Sequence, residues 1–457
     1  MHSVWAVAVN TVRQALRLKV ALICIVLLGI LLPVMALSVT GDNTLKGRLQ
    51  TFVSYGLSLT SFLLCVLTLV GAIYTVTSDI DQKQIYTVIT KPIRRSQFLV
   101  GKLLGVVLLN AGLLVLFSAL IYATALYMPH YLNAGPEELR EVENQFFTAR
   151  RVLVPPEPDV REEVHSAMQK LVSSGDIEQL YAGMSLEEIV AELTNIKKLA
   201  RRSADVGQEL VWEFDGVRPR DPNGSIFVKF KFNVSVTPPD SQVYSRWLIG
   251  DYRRYKYGGG SSAPLYPVRR KDPVRKFREI EVPADAAAED GYLAVAFLND
   301  PMNTTSIIFP LEDGLEVLYK ADTFTGNFVR GVLLILFRLV FLACLGIFTA
   351  SFLSFPVAIL VCAVVFLTAT VSGFVIESFD YLGGNAAMVY SYTVKLLVRL
   401  LPRFDEYNPS KYLVPAELLS WSVVGRVFAF MVCIKSLLLL ALGLIVFSLR
   451  EVARIAV

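Results

Sequence analysis

The sequence predicts an α-helical polytopic membrane protein: six transmembrane helices plus an extracytoplasmic α+β domain, helical first and β-sandwich-like after. Three observations carry that prediction. Of 457 residues, 54% are hydrophobic and only 18% charged, where a soluble chain carries about a quarter charged residues. The apolar surplus is gathered into six runs near the roughly 20 residues that a helix needs to cross the hydrocarbon core. Those runs flank a polar middle, residues 129–326, long enough for an independent domain.

Residues 1–18 read as an amphipathic elbow helix, with Trp5, Val9, Val12 and Leu16 on one stripe and Asn10, Arg13 and Arg17 opposite. Such a helix is expected to lie in the interface plane. The first three spans follow at 19–39, 52–76 and 102–128. The last three are expected at 328–350, 355–376 and 427–448. The first run is longer than a signal-peptide core and five more follow it, so it reads as retained. Arg13, Arg17 and Lys19, then Lys83, Lys91, Arg94, Arg95 and Lys102, then Arg450 and Arg454 fall on one side, the cytoplasmic one by the positive-inside rule. Residues 129–326 and the re-entrant-like loop 377–425 are then extracytoplasmic.

Within the outer domain, 136–206 reads as acidic helices and 208–320 as strands. The stretch 226–236 alternates, with Ile226, Val228, Phe230, Phe232, Val234 and Val236 facing one way. That is the half-buried antiparallel pattern. Further strands are expected at 210–214, 277–282, 292–298, 305–309 and 315–319. Between them, Arg246 to Arg278 is basic and interleaved with tyrosines, suiting either an anionic partner or the acidic helices of the same domain.

Several function classes drop out. A net charge of +4, scattered along the chain, gives no nucleic-acid footprint. Cys24, Cys65, Cys344, Cys362 and Cys433 all lie in apolar runs, which excludes a disulfide-stapled outer domain and any CxxC pair. The three histidines stand far apart. Glu377 and Asp380 have no accompanying nucleophile or metal ligand, so no catalytic residues, metal site or cofactor-binding residues are expected.

The loop 77–101 is the most informative stretch. Asp79 and Asp81 suit the first turn of a cytoplasmic helix, where carboxylates meet the positive end of the macrodipole. Ile85, Val88 and Ile89 then form a small apolar ridge at helical spacing, Pro92 ends the helix, Arg94 and Arg95 flank it, and Ser96 is placed to cap the next one. A charged helix with an exposed apolar ridge suits a groove on a soluble partner, or a tight surface turn. Inside the spans, Arg338 and Lys435 each cost about 2.5–3.5 kcal/mol at the bilayer centre. They read as a substrate path, as interhelical contacts or, for Lys435, as snorkelling. Arg330 reads as interfacial and Asn110 as a helix-packing hydrogen bond.

Three stretches resemble the ABC-2 permease family. The segment Asp79 to Lys102 resembles its acidic start, aliphatic ridge, Pro-Ile-x-Arg and Gly-Lys, with Lys83 and Gln84 where members usually carry a glycine. The segment 350–358 resembles the turn between spans four and five, and 400–408 the Leu-Pro-x-Phe segment between spans five and six. The resemblance covers 1–128 and 327–457. It implies a homodimeric or pseudo-dimeric transmembrane subunit of an inner-membrane exporter, coupled through Asp79, Asp81, Ile85, Val88, Ile89, Pro92, Arg94 and Arg95 to a separate ABC ATP-binding subunit. ATP and Mg would be held by that partner, since this chain has no GxxxxGK[ST] and Gly101-Lys102 lacks its flanking residues. The competing expectations are an ABC-coupled mechanotransmitter and a membrane-anchored extracytoplasmic binding protein that moves no cargo.

Overall fold

A computed structural model describes residues 2–82, 94–174, 181, 184–222, 224–253, 263–380 and 401–449. The chain divides into two compact units, one of Met1–Ala149 with Thr323–Val457, the other of Arg150–Asp322.

The first unit is helical. It holds α1 (His2–Leu16), α2 (Lys19–Ser38), α3 (Leu45–Asp81), α4 (Arg95–Tyr131) and α5 (Pro136–Gln145). After the second unit come α8 (Phe324–Ala350), α9 (Phe355–Thr370), α10 (Ser372–Asp380), the short α11 (Ser410–Leu413) and α12 (Trp421–Leu449). Among the described residues, five helices are long and apolar enough to cross a membrane: α2, α3, α4, α8 and α12. That suits a polytopic membrane protein. The run expected to span at 355–376 forms the 16-residue α9, broken from α10 at Val371. At 1.5 Å per residue α9 reaches about 24 Å.

In α2 only Ala21, Cys24, Leu28 and Leu32 are buried, one stripe at helical spacing, while Leu22, Ile23, Val26 and Ile30 are exposed. A helix apolar all round with one packed stripe needs a solvent as apolar as itself. Helix α3 is the hub. Its buried face runs from Leu45 to Asp79 and packs on α2, α4, α8 and α9. It starts where the Thr44 hydroxyl accepts the Gly47 amide at 3.0 Å, the usual N-cap arrangement.

The second unit begins within β1 (Thr148–Leu153), which is followed by α6 (Arg161–Ser174) and α7 (Leu186–Arg201). These two helices close over a small core of Val160, Val164, Ile189 and Leu193. Strand β1 lies inside the stretch read as helical, a correction. Its Thr-Ala-Arg-Arg-Val-Leu run places Thr148, Ala149 and Arg150 in buried positions, a pattern without helical period.

Strands β2 to β11 follow: Ser203–Ala204, Glu209–Phe214, Ser225–Phe230, Asn233–Val234, Gln242–Gly250, Leu265–Pro273, Arg278–Pro283, Leu293–Asn299, Ile307–Ile308 and Leu315–Thr323. They form three sheets, ordered β1-β11-β4-β8, β2-β10-β5 and β3-β9-β6-β7. The inward rows meet in one core around Phe230, Trp247, Phe297 and Phe309. The alternating stretch 226–236 is two strands in different sheets, β4 and β5. Its inward set stays buried from Ile226 to Val234, but Val236 is exposed. The basic stretch expected to join strands is itself the hairpin β6–β7, with Trp247 opposite Val268 and Ser245 opposite Arg270.

Candidate functional site

The loop singled out by the sequence spans the gap between α3 and α4. Ile85, Val88, Ile89 and Pro92 lie outside the described residues; Asp79, Asp81, Arg94 and Arg95 frame them. Asp79 and Asp81 belong to the last turn of α3, not to the first turn of a new helix. A carboxylate there meets the negative end of the helix dipole, so Asp79 needs a cation. Lys102 supplies it: its Nζ stands 2.6 Å from the Asp79 carboxylate, and its side chain is fully buried. Gln14 of α1 completes the knot. Its amide nitrogen donates to Asp79 Oδ1 at 3.1 Å, and its Oε1 accepts from Lys102 Nζ at 2.9 Å. Three helix ends are thereby fastened by one polar cluster with partners for each charge, the condition under which a buried ion pair persists.

The Gly-Lys pair is thus structural. A Cβ on Gly101 would stand 2.7 Å from Val7 Cβ, and one on Gly105 would stand 2.5 Å from Thr11 Cβ. Two glycines four apart let α1 lie against α4 at backbone distance, as small residues do between membrane helices. The buried face of α1 is therefore Ala8, Thr11 and Ala15, not the Trp5, Val9, Val12, Leu16 stripe that amphipathicity suggested. Trp5 and Leu16 are exposed. Arg94 and Arg95 are exposed. The Arg94 amide donates to Gln97 Oε1 at 3.2 Å, so α4 starts at Arg95 and Ser96 lies within it rather than capping it. Arg95 Nη1 donates to the Ser448 carbonyl at 2.9 Å, tying α4 to the end of α12.

Arg338 and Lys435 stand at the middles of α8 and α12, and the same short segment engages both. Arg338 Nη2 donates to the Phe404 carbonyl at 2.7 Å, its guanidinium lies 4.9 Å from the Phe404 ring, and Nη1 reaches Ser61 Oγ of α3 at 3.3 Å. Lys435 Nζ donates to the Leu401 carbonyl at 2.8 Å. This cation ends on a backbone carbonyl of the chain. Around Lys435, Phe428–Ser436 takes π-helical geometry, with Ser436 Oγ donating to the Met431 carbonyl five residues back. Such insertions in α-helices recur at functional positions.

Further polar side chains hold the chain beyond Phe404. Gln50 donates to the Val414 carbonyl at 2.7 Å. Asn327 donates to the Glu417 carbonyl at 2.7 Å and accepts the Leu419 amide at 2.8 Å. Arg330 Nη1 donates to the Leu419 carbonyl at 2.6 Å, and Arg330 is buried. Asp405 accepts from Ser372 at 3.0 Å, at the break between α9 and α10. Irregular backbone among apolar helices needs such internal partners. Sequence reasoning missed Gln14, Gln50 and Asn327. Their signal is a lone amide on the buried side of an apolar helix. Asn110, by contrast, bonds its own helix through the Val106 carbonyl at 2.9 Å instead of bridging two.

No family model, curated protein or solved structure matches this chain.

The basic stretch of the second unit is largely paired within its own sheet. Arg246 meets Asp300 at 2.6 Å, Arg270 meets Asp272 at 2.9 Å, and Lys271 meets Asp240 at 2.8 Å. Asp251 and Asp290 hold Arg253 above its usual range. The Met302 amide, and then Arg246, hold the Asp300 carboxyl below the usual carboxylate range. The acidic helices pair elsewhere, Glu157 with Lys198 and Glu163 with Arg201. Among the described residues no cluster of histidine, cysteine or carboxylate suits a metal ion.

Proposed function

We propose that this chain is the transmembrane permease subunit of an ABC-2 type exporter. It would span the inner membrane six times, α9 and α10 together forming the fifth span, with both termini cytoplasmic and 129–326 outside. Two copies would pair, and separate ATP-binding subunits carrying ATP and Mg would dock on residues 77–101.

The observation that carries this reading is the Asp79–Lys102–Gln14 knot. The 37-residue helices α3 and α4 extend about 55 Å, more than the roughly 30 Å hydrocarbon core, so their knotted ends project as a rigid base. A force applied to the loop between them has no slack to take up before it tilts α3, the hub of the bundle, and α1 with it. Substrate access would then change by a population shift between two bundle states, without chemistry on this chain. A mechanotransmitter that moves no cargo would use the same base; the separate core of Arg150–Asp322 is the feature that favours it.

The test is purification of the full chain in mild detergent with its native background. An ATP-binding subunit should co-purify, and Ile85→Asp/Val88→Asp/Ile89→Asp should abolish both capture and stimulated ATPase activity. Absence of any such subunit, or full stimulation in the triple variant, would overturn the assignment.

A further inference from the structure

Between the 401–407 segment and α12 lies a cavity of about 310 Å³. One wall carries Arg403, Glu406 and Tyr407; the other carries Phe430, Met431 and Lys435. Among the described residues, two cations and one carboxylate give the lining one net positive charge. Lys435 gives one of its three donors to the Leu401 carbonyl, and among the described residues the other two are open to a ligand. Arg403 meets Glu406 at 3.4 Å, with both side chains nearly half exposed. A pair that exposed is weak, so a better anion can replace Glu406 as the partner of Arg403.

The outer surface continues the chemistry. Phe430, Ile434 and Leu438 are 64%, 53% and 57% exposed and stand four residues apart along α12, one apolar ridge leading from the cavity. We propose that this cavity binds the phosphate headgroup of a singly charged anionic amphiphile taken laterally from the bilayer, with its chains along that ridge. Arg403 and Lys435 hold the phosphate, and Tyr407 and Phe430 wall the glycerol region. Charge matching selects the occupant. A zwitterionic lipid brings no net charge to meet the lining's surplus, and a free phosphate ion leaves the ridge uncovered. Lys435 stands mid-helix, so on the six-span reading above an anion held there would lie below the headgroup layer. The site therefore belongs to a path across the membrane, and on the exporter reading above such an amphiphile is cargo.

Native mass spectrometry of the full chain in a neutral detergent tests this. The chain is titrated in turn with phosphatidylglycerol, phosphatidylcholine and inorganic phosphate, and no ATP-binding subunit is needed. Phosphatidylglycerol should bind at least about tenfold more tightly than phosphatidylcholine, the scale of one charge-assisted hydrogen bond. Arg403→Gln/Lys435→Gln should erase that preference. Glu406→Gln should strengthen it, which no loosening of the fold would do. Equal binding of the two lipids, an unchanged preference in the double variant, weaker binding in Glu406→Gln, or phosphate alone binding as tightly overturns the site. Any of these results leaves the coupling to an ATP-binding subunit standing.

Discussion

Lys102 and Asp79 form a buried ion pair at 2.6 Å across the two ends of the loop 82–94. They stand 23 positions apart in sequence, and Gln14 of α1 closes the triangle.

Removing one partner strands the other. Lys102→Met should destabilise the full chain by about 3–5 kcal/mol, because Asp79 would stay buried without a cation. Asp79→Leu/Lys102→Met should recover most of that loss. Thermal unfolding in detergent reads both, and two single losses that simply add in the double variant would disprove the coupling.

Gly105→Leu should undock α1. The new side chain would occupy the place of Thr11 and the Ala8 carbonyl, an overpacking that costs about 1–3 kcal/mol. Limited trypsin digestion should then cut at Arg13 and Arg17 many times faster than in the wild-type chain. Unchanged protection of both sites would show that α1 is held by something other than this close approach.

Arg338→Met and Asn327→Ala should each loosen the segment 401–420, since each leaves backbone groups of that segment without donors or acceptors. The expected loss is about 1–3 kcal/mol apiece. Hydrogen exchange at the Leu419 amide should rise in Asn327→Ala, while amides of the β3-β9-β6-β7 sheet keep their protection. Equal exchange in variant and wild type would count against these anchors.

Acid should weaken the second unit through Asp300. Its carboxyl titrates lower in the folded chain than in the unfolded one, because the Met302 amide and Arg246 stabilise the charged form. The sign follows: this stability is present above the unfolded value, near pH 3.9, and fades as pH falls through the lower folded value. Trp212 and Trp247 lie in that unit, so tryptophan fluorescence of the full chain follows the transition. Asp300→Asn should start less stable at pH 7 and lose less on acidification. A parallel acid profile in variant and wild type would reject this assignment.

The apolar runs were legible because helices surrounded by lipid need no period, only length. Asp79 was misplaced for a related reason. A helix end is marked by caps and breakers, and Ser-Asp-Ile-Asp contains a cap-like residue without a break, so α3 runs straight through it. The hairpin β6–β7 was hidden because its outward row is charged, with Arg246 and Lys271 balanced by acids from distant turns. The stripe on α1 was misassigned because hydrophobic size marks what avoids water, while small residues mark what packs on another helix.

From the sequence alone came the long apolar helices, the polar middle and the two mid-helix cations. These follow from composition and local spacing, since a long apolar run leaves its mark on contiguous residues. Only the tertiary structure decided that Lys102 answers Asp79, that Gly101 and Gly105 seat α1, and that Arg338 and Lys435 grip the 401–404 backbone. Each of those facts joins residues far apart in the chain. A buried charge announces that a partner exists, but which group provides it depends on the packing that brings the two together.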